Sequence, residues 1–331
     1  MKQKISCTSL KPKYHYCYEN VEQAMTAMEK YRQQLCVIAH EKRRQGEVIA
    51  DQSYPVEVIA LRPKQIRLPP LLLLGGMGPL AGTIAFEQAC QMFQDNREIV
   101  LFQACSLPDR TAIIEQTTRI LSAFSQEHQI VVMLETAIRE GLHYIYSISK
   151  PVQVIVLCNT AHYFFPKVWH RLQLNYPKIA DKLQWVSLIE SVMYHLQTSN
   201  LCQPLILGTS GTRLGHIYSQ PLQQANIAYV EPSKMLQLTL MEGIYQGVKA
   251  FDRDIACQAG EKFFVQMLKT QPDFDCIIAG CSEIPCLFEW LKATSVDKVK
   301  QFLSQIEIID PVQIALQCTA QSFEIVEAIL G

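Results

Sequence analysis

Two rhythms of apolar and polar positions alternate along most of the chain. Short runs of consecutive apolar residues, which favour strands buried on both faces, are separated by stretches whose apolar positions recur every three or four residues, as in helices. The apolar runs are LLLL, IVLFQAC, VIVLCN, PLILGT, IAYVEP, CIIAGC and IEIIDP. Strands that alternate with helices indicate a largely parallel sheet flanked by helices, and therefore an α/β fold.

The N-terminal part of the chain has a different pattern. Between residues 20 and 47 the apolar positions recur at helical spacing, and the stretch ends in the basic segment KRRQG. This pattern predicts an amphipathic helix that covers a face of the main body or of a second subunit. The stretch 51–70 is less periodic and rich in proline, which is typical of a link. We therefore predict an N-terminal extension over residues 1–67.

Two kinds of corner occur twice in the remaining sequence. LLLLGGMGPLAG (71–82) and PLILGTSGTRLG (204–215) each combine an apolar strand, a Gly-rich turn and a helix start. VIVLCNTAH (154–162) and CIIAGCSEI (276–284) each end an apolar strand on a cysteine that polar residues follow. Ligands of parallel α/β sheets bind outside the carboxyl ends of the strands, so all four corners are candidates for a binding site.

The near repeat predicts two pseudo-symmetric α/β lobes. We place the first lobe at 68–185, completed by the C-terminal segment 306–331, and the second at 186–305. Two facing lobes bring the four corners round one cleft between them, where a small ligand can be enclosed.

The two corner cysteines, Cys158 and Cys281, suit proton transfer at carbon. A thiol at a helix N-terminus is expected to have a lowered pKa. A single nucleophilic thiolate usually needs a histidine base, for which His162 is the nearest candidate. Two cysteines on opposite walls can instead remove a proton from one face of a carbon and return one to the other face, which inverts the stereocentre.

Inversion next to a carboxylate also needs groups that stabilise charge developing on that carboxylate. Backbone N–H groups and short polar side chains at the corners can do this. The candidates are Asn159, Thr160, Thr209, Gly211, Thr212 and Ser282.

An ordered set of motifs now points to a known family. The chain resembles the aspartate/glutamate racemase family, and more closely its aspartate racemase branch, over about residues 68–331. The matching motifs are LGGMGPLA (74–81), PDRT (108–111), CNTAH (158–162), LGTSGT (207–212), IYQGVK (244–249), GCSEIP (280–285) and IDP (309–311).

This resemblance implies a racemase that needs neither pyridoxal phosphate nor a metal and works through Cys158 and Cys281. It also implies that Arg110 and Lys249 hold the side-chain carboxylate of the substrate, as a guanidinium and an ammonium can. We add Met77, in the first Gly-rich corner, to the expected substrate-binding set. A homodimer is the expected assembly.

Three departures from the family pattern bear on this interpretation. Ser282 replaces the usual threonine but keeps its hydroxyl. Glu283 is not a departure: it stands where the glutamate branch tends to have a histidine, which favours the aspartate branch. An asparagine that often precedes PDRT is missing, which leaves the substrate open, and the extension 1–67 has no counterpart in the shorter family members. Racemisation of glutamate or another amino acid therefore stays an alternative to aspartate.

Two other classes of protein are also kept as alternatives. One is a non-catalytic, two-lobed protein that binds a small acid. The other is a nicotinamide-dependent oxidoreductase, because GMGPLA (76–81) fits the dinucleotide fingerprint GxGxxA. That fingerprint expects an acidic residue at the end of the next strand, where IVLFQACS has none.

Composition narrows the range of partners. The 331 residues are 49% apolar and 18% charged, with a formal net charge of −1, so a globular fold is expected and nucleic acid is not an expected partner. The N-terminus lacks the apolar core of a signal peptide, and no apolar run is long enough to cross a membrane, which predicts a cytoplasmic protein. We predict reduced cysteines and no metal site at Cys276, Cys281 and Cys286.

Overall fold

The computed structural model describes residues 10–119, 124–147, 150–270 and 273–330. Its strands form a six-stranded and a three-stranded sheet. The larger sheet contains β1 (Tyr14–Tyr18), β2 (Glu57–Leu61), β3 (Leu71–Gly75), β4 (Ile99–Gln103), β5 (Val152–Val156) and β6 (Leu183–Trp185). The smaller contains β7 (Pro204–Gly208), β8 (Cys276–Gly280) and β9 (Glu307–Ile309).

Helices connect these strands. They are α1 (Val21–Arg44), α2 (Pro79–Phe93), α3 (Arg110–Arg119), α4 (Phe124–Leu142), α5 (Phe165–Asn175), α6 (Pro177–Ala180), α7 (Leu188–Thr198), α8 (Ser210–Leu214), α9 (Ser219–Gln224), α10 (Lys234–Glu242), α11 (Arg253–Thr270), α12 (Ile284–Thr294), α13 (Asp297–Gln305) and α14 (Pro311–Leu330). Shorter 3₁₀ turns and a π-helix complete the secondary structure of the described residues.

The larger sheet has the order β1-β2-β4-β3-β5-β6. β3 lies between β4 and β5 and is parallel to both, and every residue of these three strands is buried. Helices cover the sheet, which explains why these strands are nearly continuous apolar runs rather than alternating ones. The predicted α/β class, with parallel-rich sheets flanked by helices and an added N-terminal helix, is confirmed.

The N-terminal helix α1 packs on the main body. Its first turn is capped by Asn20, whose side chain accepts a hydrogen bond from the N–H of Gln23 at 3.0 Å. One face is buried against α2 and the larger sheet. That buried face consists of Ala24, Met28, Tyr31, Leu35 and Ala39. The predicted covering role is therefore fulfilled on the chain's own main body.

The extension also contributes two strands that the sequence pattern did not predict. β1 pairs in parallel with β2, and β2 pairs antiparallel with β4, so the extension widens the larger sheet. β2 is buried along its whole length, although its sequence EVIAL lies in the stretch interpreted as a link. The extension is thus built into the first lobe.

The smaller sheet has the order β7-β8-β9, with parallel pairing throughout. The segment predicted to return to the first lobe from 306 begins instead with β9, because the far edge of β8 still requires backbone partners. From Pro311, α14 packs chiefly against α7 and also reaches α2. The rest of the domain division stays a prediction.

One predicted strand is largely missing from the sheet. The run IAYVEP makes a single bridge, from Val230 to Leu205, and does not continue along β7. Only the middle of this run follows the edge of the sheet, since Pro232 lacks the N–H that further pairing would need.

Candidate active site

A small enclosed cavity lies at the carboxyl ends of the strands of both sheets. Residues that directly follow β3, β5, β7 and β8 line it. The volume that the centre of a water molecule can occupy in it is about 10 Å³, so the cavity holds about one water. An amino acid can therefore enter only after the walls of the cavity separate. The lining residues are Met77, Arg110, Thr111, Cys158, Asn159, Thr160, Thr209, Tyr245, Lys249, Cys281, Ser282 and Glu283.

The two cysteines reach this cavity from different sheets. Cys158 follows β5 of the larger sheet and precedes a 3₁₀ turn, Asn159–Tyr163. Cys281 follows β8 of the smaller sheet and precedes α12. Both side chains are more than nine-tenths buried, with 7% and 6% exposure. The two thiols thus line one cavity from two different sheets.

Threonine hydroxyls from three segments of the chain form a connected cluster at the cavity. The hydroxyl of Thr160 lies 2.9 Å from that of Thr209 and 3.1 Å from that of Thr212. Thr111 donates to Thr209 at 3.2 Å, and Thr212 donates to the carbonyl of Gly280 at the same distance. Since hydroxyls can rotate, the cluster can turn its donors toward an anion that enters the cavity.

Gly211 allows this cluster to form. A Cβ at this position would lie 2.7 Å from the hydroxyl oxygen of Thr111 and 2.8 Å from the Cγ2 of Thr160. Those distances are shorter than non-bonded atoms tolerate, so only glycine lets the three segments approach.

The side-chain amide of Asn159 has its oxygen hydrogen-bonded within the protein and its nitrogen available for a ligand. Its Oδ1 accepts a hydrogen bond from the hydroxyl of Tyr218 at 2.5 Å. Its Nδ2 is buried and has no hydrogen-bond partner among the described residues. Because a buried donor without an acceptor is costly, this N–H₂ group is well suited to an anionic ligand atom in the cavity.

Glu283 gives Cys281 its immediate environment. The thiol of Cys281 donates to Oε2 of Glu283 at 2.9 Å, and the hydroxyl of Ser282 approaches the same oxygen at 3.4 Å. Oε1 of Glu283 is buried and has no partner in the described part of the chain. Gly78, with a φ of +139°, makes room for it, because a Cβ there would lie 1.4 Å from Oε1.

This environment corrects one prediction. A helix N-terminus was expected to lower the pKa of Cys281, but its burial, followed by the nearby charge of Glu283, raises the pKa well above its usual value. Desolvation of the thiolate and a neighbouring carboxylate outweigh the dipole of α12. Its surroundings therefore favour the protonated thiol of Cys281 over the thiolate.

Arg110 and Lys249 also line the cavity, and a third residue joins them. Arg110 Nη2 donates to Oδ2 of Asp51 at 2.8 Å and to the carbonyl of Met77 at 3.1 Å. Lys249 Nζ lies 3.2 Å from the same carboxylate oxygen and 3.1 Å from the same carbonyl. All three charged side chains are less than 10% exposed. The extension therefore places a carboxylate between the two cations.

The charges of this triad hold one another ionised. Burial by itself raises the pKa of Asp51, but the charges of Lys249 and Arg110 outweigh it and keep the pKa below its ordinary value. Burial lowers the pKa values of Lys249 and Arg110, and Asp51 reverses this, so both are raised well above the ordinary range. Each group is charged because the others are.

A π-helix positions the lysine. Gly243–Val248 form this element, which overlaps the IYQGVK motif (244–249) and lies between α10 and α11. The wider turn brings both Tyr245 and Lys249 to the cavity, and Lys249 Nζ lies 4.8 Å from the centre of the Tyr245 ring. Irregular turns of this kind occur frequently at functional sites.

His162 serves the backbone of the first cysteine corner and is not a cavity residue. The N–H of Leu188 donates to its Nε2 at 3.3 Å, so its Nδ1–H donates to the carbonyl of Cys158 at 3.0 Å. Burial lowers the pKa of His162 to about 4. The imidazole is therefore neutral, and its hydrogen bonds hold the backbone of Cys158 in place.

The buried, neutral His162 predicts that the free energy of unfolding depends on pH. Between pH 6.5 and about 4 the unfolded chain binds a proton at His162 that the folded chain does not, so acid favours unfolding. We expect His162 to lower the free energy of unfolding by about 3 kcal/mol across this window. Urea denaturation at a series of pH values measures it. His162→Gln should flatten this part of the profile, and an unchanged slope in that variant would contradict the assignment.

The structure brings nearly all the predicted site residues together. Every one of them lines the cavity except Gly211 and Thr212, which stand behind it and support the threonine cluster. Their roles in binding or catalysis stay predictions.

Four residues of the site were not predicted. Thr111 lies inside the PDRT motif, Tyr245 inside IYQGVK, and Glu283 inside GCSEIP, so the motifs themselves held that signal. Asp51 had no such signal, because it lies in the irregular stretch between α1 and β2.

Within the described ranges, no group of three or more His, Cys, Asp or Glu side chains is arranged to hold a metal ion. In the same ranges, no helix combines the length and the apolar character needed to cross a bilayer.

Comparison with known proteins places the fold. No family model matches the chain. An aspartate racemase from Picrophilus torridus is 22% identical, with a TM-score of 0.54 over 77% of this chain and 94% of that one. A glutamate racemase from Francisella tularensis, solved with D-glutamate, is 13% identical, with a TM-score of 0.49 over 78% of this chain and 82% of that one. The first likeness shows that the chain has the fold of that racemase, as the sequence resemblance implied.

Proposed function

We propose that the protein is a cofactor-independent amino acid racemase. The observation that carries this proposal is that Cys158 and Cys281, from different sheets, line one small cavity. Two such thiols can act on opposite faces of a single carbon. The fold shared with an aspartate racemase supports this activity.

Unpaired polar atoms in the cavity match the head group of an amino acid. Asn159 Nδ2 is a buried donor and Glu283 Oε1 a buried acceptor, each without a partner among the described residues. The carboxylate of an amino acid would accept from Asn159 and from the threonine hydroxyls, while its ammonium would donate to Glu283. Both orphan groups would then be satisfied.

The reaction would transfer one proton off and one proton on. With Cys281 as the thiol, a thiolate on Cys158 takes the α-proton, and Cys281 gives its own proton to the opposite face of the resulting carbanion. In the reverse direction the two roles exchange.

Aspartate is the substrate implied by the sequence resemblance, since Arg110 and Lys249 stand where that branch holds a second carboxylate. Racemisation of glutamate or another amino acid and binding without catalysis are the alternatives. The carboxylate of Asp51, which contacts both Arg110 and Lys249, bears on which substrate fits. A homodimer in the cytoplasm stays a prediction, and light scattering after size exclusion tests the assembly.

The test is hydrogen exchange at the α-carbon. Reduced protein is incubated in D2O, without added cofactor, with L-aspartate, L-glutamate and a panel of other L-amino acids. Loss of the α-proton signal together with appearance of the D-enantiomer supports a racemase. If folded, reduced protein exchanges none of them but binds one, the protein is a non-catalytic binder.

A further inference from the structure

Asp51 is bound to the two cations, Arg110 and Lys249, that the sequence resemblance assigns to a second substrate carboxylate. Its two carboxylate oxygens lie within 3.3 Å of Lys249 Nζ, and Oδ2 also accepts from Arg110 at 2.8 Å. The carboxylate belongs to the N-terminal extension and comes from 198 residues before the lysine. An internal anion thus sits on both cations of the site.

The hydrogen-bond donors of Arg110 are already used, so its guanidinium cannot bind another carboxylate through two parallel N–H groups. Both bidentate faces of a guanidinium use Nη2, and Nη2 is bonded to Asp51 and to the carbonyl of Met77. Nη1 donates to the carbonyl of Pro108 at 2.9 Å, and Nε has no partner in the described part of the chain. On the face of the guanidinium formed by Nε and Nη2, only the N–H of Nε is left to donate.

The turn that carries Asp51 is fixed to the site. Asp51–Ser53 form a 3₁₀ turn, closed by a hydrogen bond from the N–H of Tyr54 to the carbonyl of Asp51 at 3.2 Å. The buried hydroxyl of Tyr54 donates to the backbone carbonyl of Lys249 at 3.0 Å. Arg43, near the end of α1, donates to the carbonyl of Ala250 at 2.8 Å. The carboxylate and its lysine are therefore anchored to each other through the backbone as well.

We propose that Asp51 sets the substrate class of this racemase: the chain supplies the second carboxylate itself, and the substrate is an amino acid with a small uncharged side chain. This inference rests on the proposed racemase function. A substrate carboxylate beside Asp51 would meet a like charge, and a cationic side chain would lie beside the like charges of Arg110 and Lys249. A bulky side chain would require the walls of this small cavity to separate further than a small one does.

The experiment compares substrates between the wild type and Asp51→Ala. In the wild type, we expect kcat/KM for aspartate to be about 10²-fold below that for the best of alanine, serine and asparagine. In Asp51→Ala, aspartate brings back the missing carboxylate, so its kcat/KM should rise by about tenfold or more while that of the uncharged substrate falls. The α-proton exchange assay in D2O measures both.

Glu47→Gln is the matched control. It removes a carboxylate from the same connecting segment, but one that is exposed and paired with Lys42 at the surface. Its substrate preference should equal that of the wild type. Asp51→Asn is a second test variant in case Asp51→Ala folds poorly, because it keeps the size of the side chain while it removes the charge.

Binding separates failure of this inference from failure of the proposed function. Calorimetry with succinate, a dicarboxylate that cannot be racemised, should show tighter binding to Asp51→Ala than to the wild type, by about tenfold. If no amino acid is exchanged but succinate binds in this way, the racemase proposal fails and the place of Asp51 stands. Wild type that racemises aspartate as fast as uncharged amino acids, or succinate binding that is equal in both proteins, would overturn the inference.

Discussion

Cys158→Ser and Cys281→Ser are each expected to lower kcat/KM for racemisation by about 10²- to 10⁴-fold, in both directions. A hydroxyl is a much weaker acid than a thiol, so serine can neither be the base at neutral pH nor deliver a proton readily. Inversion needs one group on each face of the carbon, and therefore the loss of either cysteine removes the reaction in both directions.

The two variants should still differ in what they retain. Each keeps one cysteine, which can exchange the α-proton of the enantiomer that presents its C–H bond to that wall. Deuterium should therefore enter one enantiomer in Cys158→Ser and the other in Cys281→Ser, without inversion. Proton NMR combined with chiral chromatography separates exchange from racemisation.

Cys286→Ser is the matched control for both variants. Cys286 is also buried and lies on α12 close to Cys281 in sequence, but it lines a separate groove. Its substitution should leave racemisation near the wild-type rate. The two-base mechanism is wrong if either corner variant keeps racemisation within a few-fold of the wild type while its melting temperature shows that it is folded.

The corners of the site were predictable because their signals are local. An apolar run that ends on Cys158 or on Gly208 marks the carboxyl end of a buried strand, and parallel strands bring such ends to the same edge of the fold. The polar residues that follow each run then face the same space. Spacing along a single stretch of sequence was enough to place them.

The contribution of the extension was not predictable in this way. β2 was not predicted because its five residues lie among prolines and charged residues, and a buried strand this short shows no hydrophobic periodicity. Asp51 meets Arg110 and Lys249 only through the folding of α1 onto α2 and of β2 onto β4. A contact that depends on tertiary packing of distant segments leaves no pattern in either segment.

The electrostatics of Cys281 show a third kind of limit. The sequence correctly places this thiol at a helix start, which by itself favours the thiolate. The structure adds nearly complete burial and the carboxylate of Glu283, and these two effects determine the direction in which the pKa moves. Local sequence identifies the dipole but not the degree of desolvation.

Removal of Asp51 is expected to cost the protein about 3 to 5 kcal/mol of stability at neutral pH. Asp51→Ala leaves the charges of Arg110 and Lys249 buried with no carboxylate between them, and burial then disfavours both ionised groups. The urea midpoint should fall accordingly. Glu47→Gln, which breaks only a surface pair with Lys42, should change the stability by less than about 1 kcal/mol.

Two further measurements identify the cause of this loss. In Asp51→Ala/Lys249→Met one of the two uncompensated charges is gone, so the double variant should be more stable than Asp51→Ala alone. The pKa of Asp51 is lowered in the folded protein, so its stabilising charge is fully present above the ordinary carboxyl pKa of 3.8 and is lost as the pH falls below it. The difference in stability between wild type and Asp51→Ala should therefore shrink in that acidic range. A difference that is small at neutral pH, or that the lysine substitution enlarges, would show that Asp51 does not neutralise the two cations.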